Sequence, residues 1–229
     1  MISTLLQNCH TIFNAEIFPE QGDSVMCSLH DCFDDQSGGD HNCLGCNFSD
    51  TTIWIQKYLS RASNFGDIDE AYTFYLMRLY LFVERAYVIF DIIKLPEEYR
   101  CRHFSVFRDV HKWANFTKHP NSFILVHHPT YTHDGEASFD RTKFSLVIDQ
   151  TFVNEHYSSP THNKKLWDSL QNKTDVAVMF PNPETLTRGF CAAAKKFIAV
   201  VRENEVFREI LASRSTYANY YLRNADSGA

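Results

Sequence analysis

Apolar positions recur with helical spacing over much of this 229-residue chain. The clearest run begins at Asp67 or Asp69 and extends to about Lys94. Ala71, Phe74, Tyr75, the stem of Arg78, Leu79, Phe82, Ala86, Ile89 and Ile93 follow i, i+3, i+4, i+7 spacing. Leu76, Leu81, Val83, Tyr87, Val88 and Phe90 add apolar surface on the remaining sides. Such a helix is expected at the centre of its domain or in a dimer interface. Met1 to Ile17 carries Leu5, Leu6, Ile12 and Phe13 and reads as a short helix. Thr51 to Ala62 reads as another, with Asp50 as its N-cap.

Pro96 ends the long helix, and Glu97 to Arg102 is read as a connector. Phe104 to Phe116 is helical, and Pro120 stops it by pushing His119 out of the α region. Three β-like runs follow, Ser122 to Val126, Phe144 to Ile148 and Asp175 to Phe180, with a helical stretch at His162 to Leu170. Asn182 then caps a helix with Pro183 in its first turn, running to about Glu203. A last helix is expected over Glu205 to Tyr220. The fold class read from this pattern is α+β and predominantly helical. It has a helical bundle core, a small number of short strands and an N-terminal zinc-stapled loop region.

Composition is that of a globular chain, 44% hydrophobic and 22% charged, which sets aside disordered and collagen-like classes. The net charge of −6 is unevenly placed. Residues 1–50 hold eight of the 28 acids and none of the 22 bases, so the remainder is slightly basic. Five of the seven Cys lie in the same fifty residues. The expected division is therefore an acidic Cys/His-rich subdomain at 1–50 and an α-rich main domain at 51–229. The main domain divides into helices at 51–120 and a mixed α/β continuation at 121–229. Tyr72 to Ile93 is interrupted by Arg78, Glu84, Arg85 and Asp91, so no membrane span is expected. Leu5-Leu6 is followed by Gln7, Asn8, Cys9 and His10 with no basic segment before it, which does not read as a signal peptide. The expected location is the cytoplasm.

Cys27-x2-His30-x-Cys32 and Cys43-x2-Cys46 are separated by a ten-residue gap, with His41 beside the second pair. Two close pairs divided by a loop suit a tetrahedral zinc ion. Cys27, Cys32 (or His30), Cys43 and Cys46 are the expected ligands. Four protein ligands leave no open position, so the zinc is expected to be structural. It would organise the stretch from Pro19 to Asp50, which has little periodicity of its own.

Between Phe104 and Pro120, Arg108, His111, Lys112 and Asn115 occupy i, i+3, i+4 and i+7, and so share one helix face. His119 follows four residues after Asn115. Two imidazoles, two or three cations and an amide can bind a phosphodiester and carry out metal-free proton transfer on RNA. Lys118 and His119 also suit a plain helix C-terminus, where positive charge is favoured.

Asn115-Phe-Thr-Lys118-His119, after a long apolar helix and a short connector, resembles the Asn-x3-His half of the Arg-Asn-x3-His motif of HEPN-superfamily proteins. The likeness covers about Thr51 to Pro120. It implies a compact helical domain, often dimeric, and for many members a metal-independent endoribonuclease of a toxin or antiviral defence system. By that resemblance His119 would move the proton and Asn115 would orient it or the phosphate. The position matching the motif's Arg is Ala114, so Arg108 or Lys112 would have to supply charge. The other reading from the sequence is a non-catalytic zinc-containing adaptor that binds a protein partner. RNA, a protein partner or a second copy are thus the expected partners.

Other groups carry less. His127, His128 and His133 could join His119 in a metal hydrolase, or be surface histidines of a loop. Arg188, Lys195 and Arg202 form a basic face opposite Leu186, Phe190, Phe197 and Val201. Cys191 lies among small residues and is expected to be packed. No glycine-rich phosphate loop, nucleophile elbow or dinucleotide fingerprint occurs.

Overall fold

The computed structural model describes residues 2–19, 44–61, 68–118, 137–140, 145–149, 176–180, 182–213 and 219. Seven helices lie among them: α1 (Ile2–Ile17), α2 (Leu44–Arg61), α3 (Ile68–Ile92), α4 (Glu97–His103), α5 (Ser105–Lys118), α6 (Pro183–Glu203) and α7 (Glu205–Ala212). α3 packs against α2, α5, α6 and α7, and so is central as its all-round apolarity implied. α1 packs along α6 and α2.

The core is aromatic, as 19 Phe in one chain lead one to expect. Phe82 of α3 sits between Phe48 of α2, Phe107 of α5 and Phe190 of α6, at ring-centroid distances of 5.0, 5.9 and 5.1 Å. Phe90 continues the column against Phe104 at 4.7 Å and Phe197 at 5.6 Å. Phe13 of α1 joins it through Phe190 at 6.5 Å. Most of these pairs are tilted or edge-on, which suits the ring quadrupoles. α5 also approaches α6 closely at Gly189, where a Cβ would stand 3.2 Å from Val106.

The ends of α3 and α6 show how the sequence sets its boundaries. Lys94 follows α3 with φ of 52°, the left-handed region. Leu95 N–H then donates to Phe90 C=O at 2.8 Å and Lys94 N–H to Asp91 C=O at 3.2 Å, the paired bonds of a Schellman turn. Arg100 completes this end. Its guanidinium donates to the Leu95 and Phe90 carbonyls, both at 2.7 Å, and to Asp91 Oδ1 at 2.6 Å. Asn182 caps α6 as expected, accepting from Thr185 N–H at 3.0 Å. Asn204 caps α7 in the same way through Phe207 N–H at 3.1 Å.

Several expectations need correcting. The α+β class gives way to a helical bundle. Every described core side chain comes from a helix or the turns flanking one. Three short strands, β1 (Ala137–Asp140), β2 (Ser145–Asp149) and β3 (Val176–Phe180), form an antiparallel ladder in that order. The side chains of these strands are not among those described, and the described residues are overwhelmingly helical, so the class they support is a helical bundle. α2 begins at Leu44 rather than Thr51. The reason is Phe48, fully buried one heptad before Ile55 and drawn into the column by Phe82. Asp50 consequently lies exposed inside the helix and caps nothing at its start.

α2 thus crosses the expected domain boundary at 50/51. The first described stretch, with Leu6, Cys9, Phe13 and Ile17 buried, belongs to the bundle core. The basic outer face of α6 meets this segment, since Lys195 Nζ lies 2.7 Å from Glu16 Oε2. The connector Glu97 to Arg102 is the helix α4. Phe74 is 46% exposed rather than buried, because it lies beside Arg78 and off the stripe that faces the core. α7 ends at Ala212, short of Tyr220. The runs expected at Ser122 to Val126 and His162 to Leu170 lie outside the described residues.

Candidate functional site at the seam of α3 and α5

α5 buries Phe107, Val110, Trp113 and Ala114 and turns Arg108, His111 and Lys112 to the other side. The shared face read from the sequence is therefore present for these three residues. Arg108 is exposed, while His111 and Lys112 are half-buried. Asn115 lies on the last turns of α5, and its side chain is not among those described. α5 ends at Lys118, directly before His119, which lies outside the described residues together with His127, His128 and His133.

α3 supplies the other wall. His111 Nε2 lies 3.2 Å from Glu84 Oε1. The rings of Tyr80 and Tyr87 flank the imidazole, each at 5.6 Å. Tyr80, Glu84 and Tyr87 stand at i, i+4 and i+7 on α3, so one strip of that helix faces His111. Sequence reasoning missed all three. In the sequence Tyr80, Glu84 and Tyr87 are positions of one long helix with nothing to mark a partner. Their spacing was nonetheless the available signal.

Electrostatics differ along the face. Burial pushes the Lys112 ammonium below the ordinary lysine value; Asp109 opposes this and Arg108 adds to it. Lys112 Nζ also stands 5.7 Å from the Trp113 ring centroid. Burial raises the Tyr87 phenol to about 12, with Arg108 pulling the other way and Glu84 adding a smaller push upward. Arg108 Nη1 reaches Cys101 Sγ at 3.8 Å. A rise of 1.5 Å per residue sets Arg108 and Asn115 about 10 Å apart along the axis. The face is a strip longer than one phosphodiester, with His111 toward one end and Asn115 toward the other.

Among the expected metal ligands, Cys46 is described, half-buried in the first turn of α2. Cys27, His30, Cys32 and Cys43 lie outside the described residues. Among the described residues, no group of three or more His, Cys, Asp or Glu could hold a metal ion. No described helix is long and apolar enough to cross a membrane. Comparison with known protein families, with curated proteins and with solved structures found no match to this chain.

Proposed function

We propose that this protein is an RNA-directed, HEPN-like helical-bundle protein that cleaves RNA without a metal ion at the C-terminal end of the α5 face. The observation that supports this reading most is the strip itself. Arg108, His111 and Lys112 lie together on the side of α5 away from the core, and α3 holds His111 in place through Glu84. The long apolar helix α3, the short helix α4 and then α5, which carries Asn115 and leads to His119, follow one another in the chain.

The chemistry divides along the strip. His119 takes the proton of a ribose 2′-hydroxyl, and the 2′-oxygen attacks the adjoining phosphorus. The 5′-oxygen leaves with a proton from water, and the Lys112 ammonium, on the same face of α5, supplies positive charge toward the phosphates. Products are a 2′,3′-cyclic phosphate and a 5′-hydroxyl. Asn115 orients the imidazole or a phosphoryl oxygen. Arg108 and His111 hold the RNA backbone farther along and do not touch the reacting atoms.

A structural zinc belongs to the same reading, held by Cys27, Cys32 or His30, Cys43 and Cys46. Cys46 stands in the first turn of a helix, where the dipole favours a thiolate. Metal analysis tests it: one zinc per chain, lost in Cys43→Ser, is the expected result. The protein would work in the cytoplasm, as an effector of toxin or defence type.

Incubation of the full chain with single-stranded RNA and a chelator tests the activity. Cleavage that disappears in His119→Ala, with helicity and melting unchanged, is expected. A folded protein that binds a protein partner and leaves RNA intact would instead be an adaptor.

A further inference from the structure

A second surface, on the opposite side of α3, has a different chemistry. Trp54, Lys57, Tyr58 and Arg61 of α2 stand at i, i+3, i+4 and i+7 and face Arg78 of α3 across an open groove of about 350 Å³. Trp54 is 42% exposed, unusual for so large a ring on a helix that buries Ile55 and Leu59 beside it. Arg85 holds the indole in place, its guanidinium 6.0 Å from the ring centroid, and is itself bonded to Asn47 and to the Leu81 carbonyl. Tyr58 is fixed by its hydroxyl, which donates to Ala71 C=O at 2.7 Å. The walls are therefore set before any ligand arrives.

The charges are left open. Lys57, Arg61 and Arg78 form no ion pair among the described residues. Elsewhere the bundle does pair such groups, as in Arg100 with Asp91 and Lys195 with Glu16. Three cations around one groove, with no ion-pair partner among the described residues, repel one another, and they do so on a chain of net charge −6. An anion relieves that repulsion. A flat apolar group meets the exposed indole. One repeating ligand offers both at the spacing of adjacent helices: a nucleotide within a single strand.

We infer that the α2–α3 groove is a binding site for single-stranded nucleic acid, in which a base stacks on Trp54 and the phosphates lie on Lys57, Arg61 and Arg78. It serves as an anchor for the RNA that the reading above places on α5, but it stands on other residues. Trp54 supplies affinity without base selectivity, since every base has a face to stack. The cations supply the salt dependence.

A short oligothymidylate is the probe, because it lacks the 2′-hydroxyl that cleavage needs, so binding is read whether or not the protein cuts RNA. Binding to the full chain is followed by anisotropy across a salt series. Trp54→Ala is expected to weaken it about 5- to 150-fold, the range for loss of one stacked base. Trp54→Phe should recover most of the loss. Arg61→Gln and Arg78→Gln should each lower the slope of log affinity against log salt by about 0.7. Melting curves of these surface variants should match the wild type. Absence of binding by the folded wild type overturns the inference. So does binding that ignores Trp54, or binding of polyglutamate or anionic vesicles as tight as that of the oligonucleotide.

Discussion

Glu84 Oε1 stands 3.2 Å from His111 Nε2, a polar contact between the central helix and the helix that leads to His119. Both side chains are part-exposed, so water screens the pair and it adds at most about 1 kcal/mol to stability. Its role is positional: it holds the imidazole between Tyr80 and Tyr87 on the outer strip of α5.

The position of His111 predicts a kinetic split. On the proposed function, His111→Ala and Arg108→Ala should raise KM for RNA several-fold and leave kcat nearly unchanged, since in that proposal both hold the backbone away from the reacting phosphate. His119→Ala should lower kcat by about 100-fold or more, the usual contribution of a proton-transfer group. Steady-state kinetics on a short RNA separate the two. A kcat collapse in His111→Ala would move the cleavage locus up the strip.

Phe82 carries the packing. Phe82→Ala should cost about 3–5 kcal/mol, because the cavity it leaves is walled by Phe48, Phe107 and Phe190 on three different helices. Phe74→Ala, on the exposed side of the same helix, should cost under about 0.5 kcal/mol. Urea denaturation compares them directly. Equal costs would mean that the aromatic column is not the core.

The turn after α3 makes two opposite predictions. Lys94→Gly should stabilise the fold by about 1 kcal/mol, since glycine adopts the left-handed conformation without the Cβ penalty. Arg100→Ala should destabilise by about 2–3 kcal/mol, because the Phe90 and Leu95 carbonyls lose a charged donor. Arg100→Lys should recover only part, as an ammonium cannot fork between them. Thermal melts of the three variants check the set.

Alkaline stability follows from two buried thiols. Burial raises Cys9 from 9.0 to about 11, with a hydrogen bond from Thr187 opposing it, and raises Cys191 from 9.0 to about 12. The folded chain therefore keeps these protons after the unfolded chain has released them. Their contribution is intact below pH 9.0 and is lost as pH rises toward about 11 to 12. The loss is at most about 1.4 kcal/mol per pH unit for each thiol. A Cys9→Ala, Cys191→Ala variant should show a flatter decline of unfolding free energy over that window. An unchanged slope would rule the thiols out as its source.

The helices were legible where apolar spacing was long and the cap chemistry local. α3 and the Asn182–Pro183 start of α6 needed nothing from elsewhere in the chain. The start of α2 was not legible, because Phe48 earns its place from Phe82 and Phe197, both distant in sequence. α4 reads as a connector in the sequence because Arg100, which ties it to the end of α3, finds its carbonyl partners only in the fold. The α5 face could be read from spacing alone, yet the Glu84 contact that orients His111 is a tertiary fact. The α2–α3 groove was invisible for the same reason: Arg78 joins Trp54, Lys57 and Arg61 only when the two helices pack.

The most direct test of the account is end-group analysis of single-stranded RNA incubated with the full chain and excess chelator. Fragments ending in 2′,3′-cyclic phosphate and 5′-hydroxyl, formed by the wild type and lost in a folded His119→Ala, are the expected result. Intact RNA with the wild type, or equal cleavage by the variant, would contradict it.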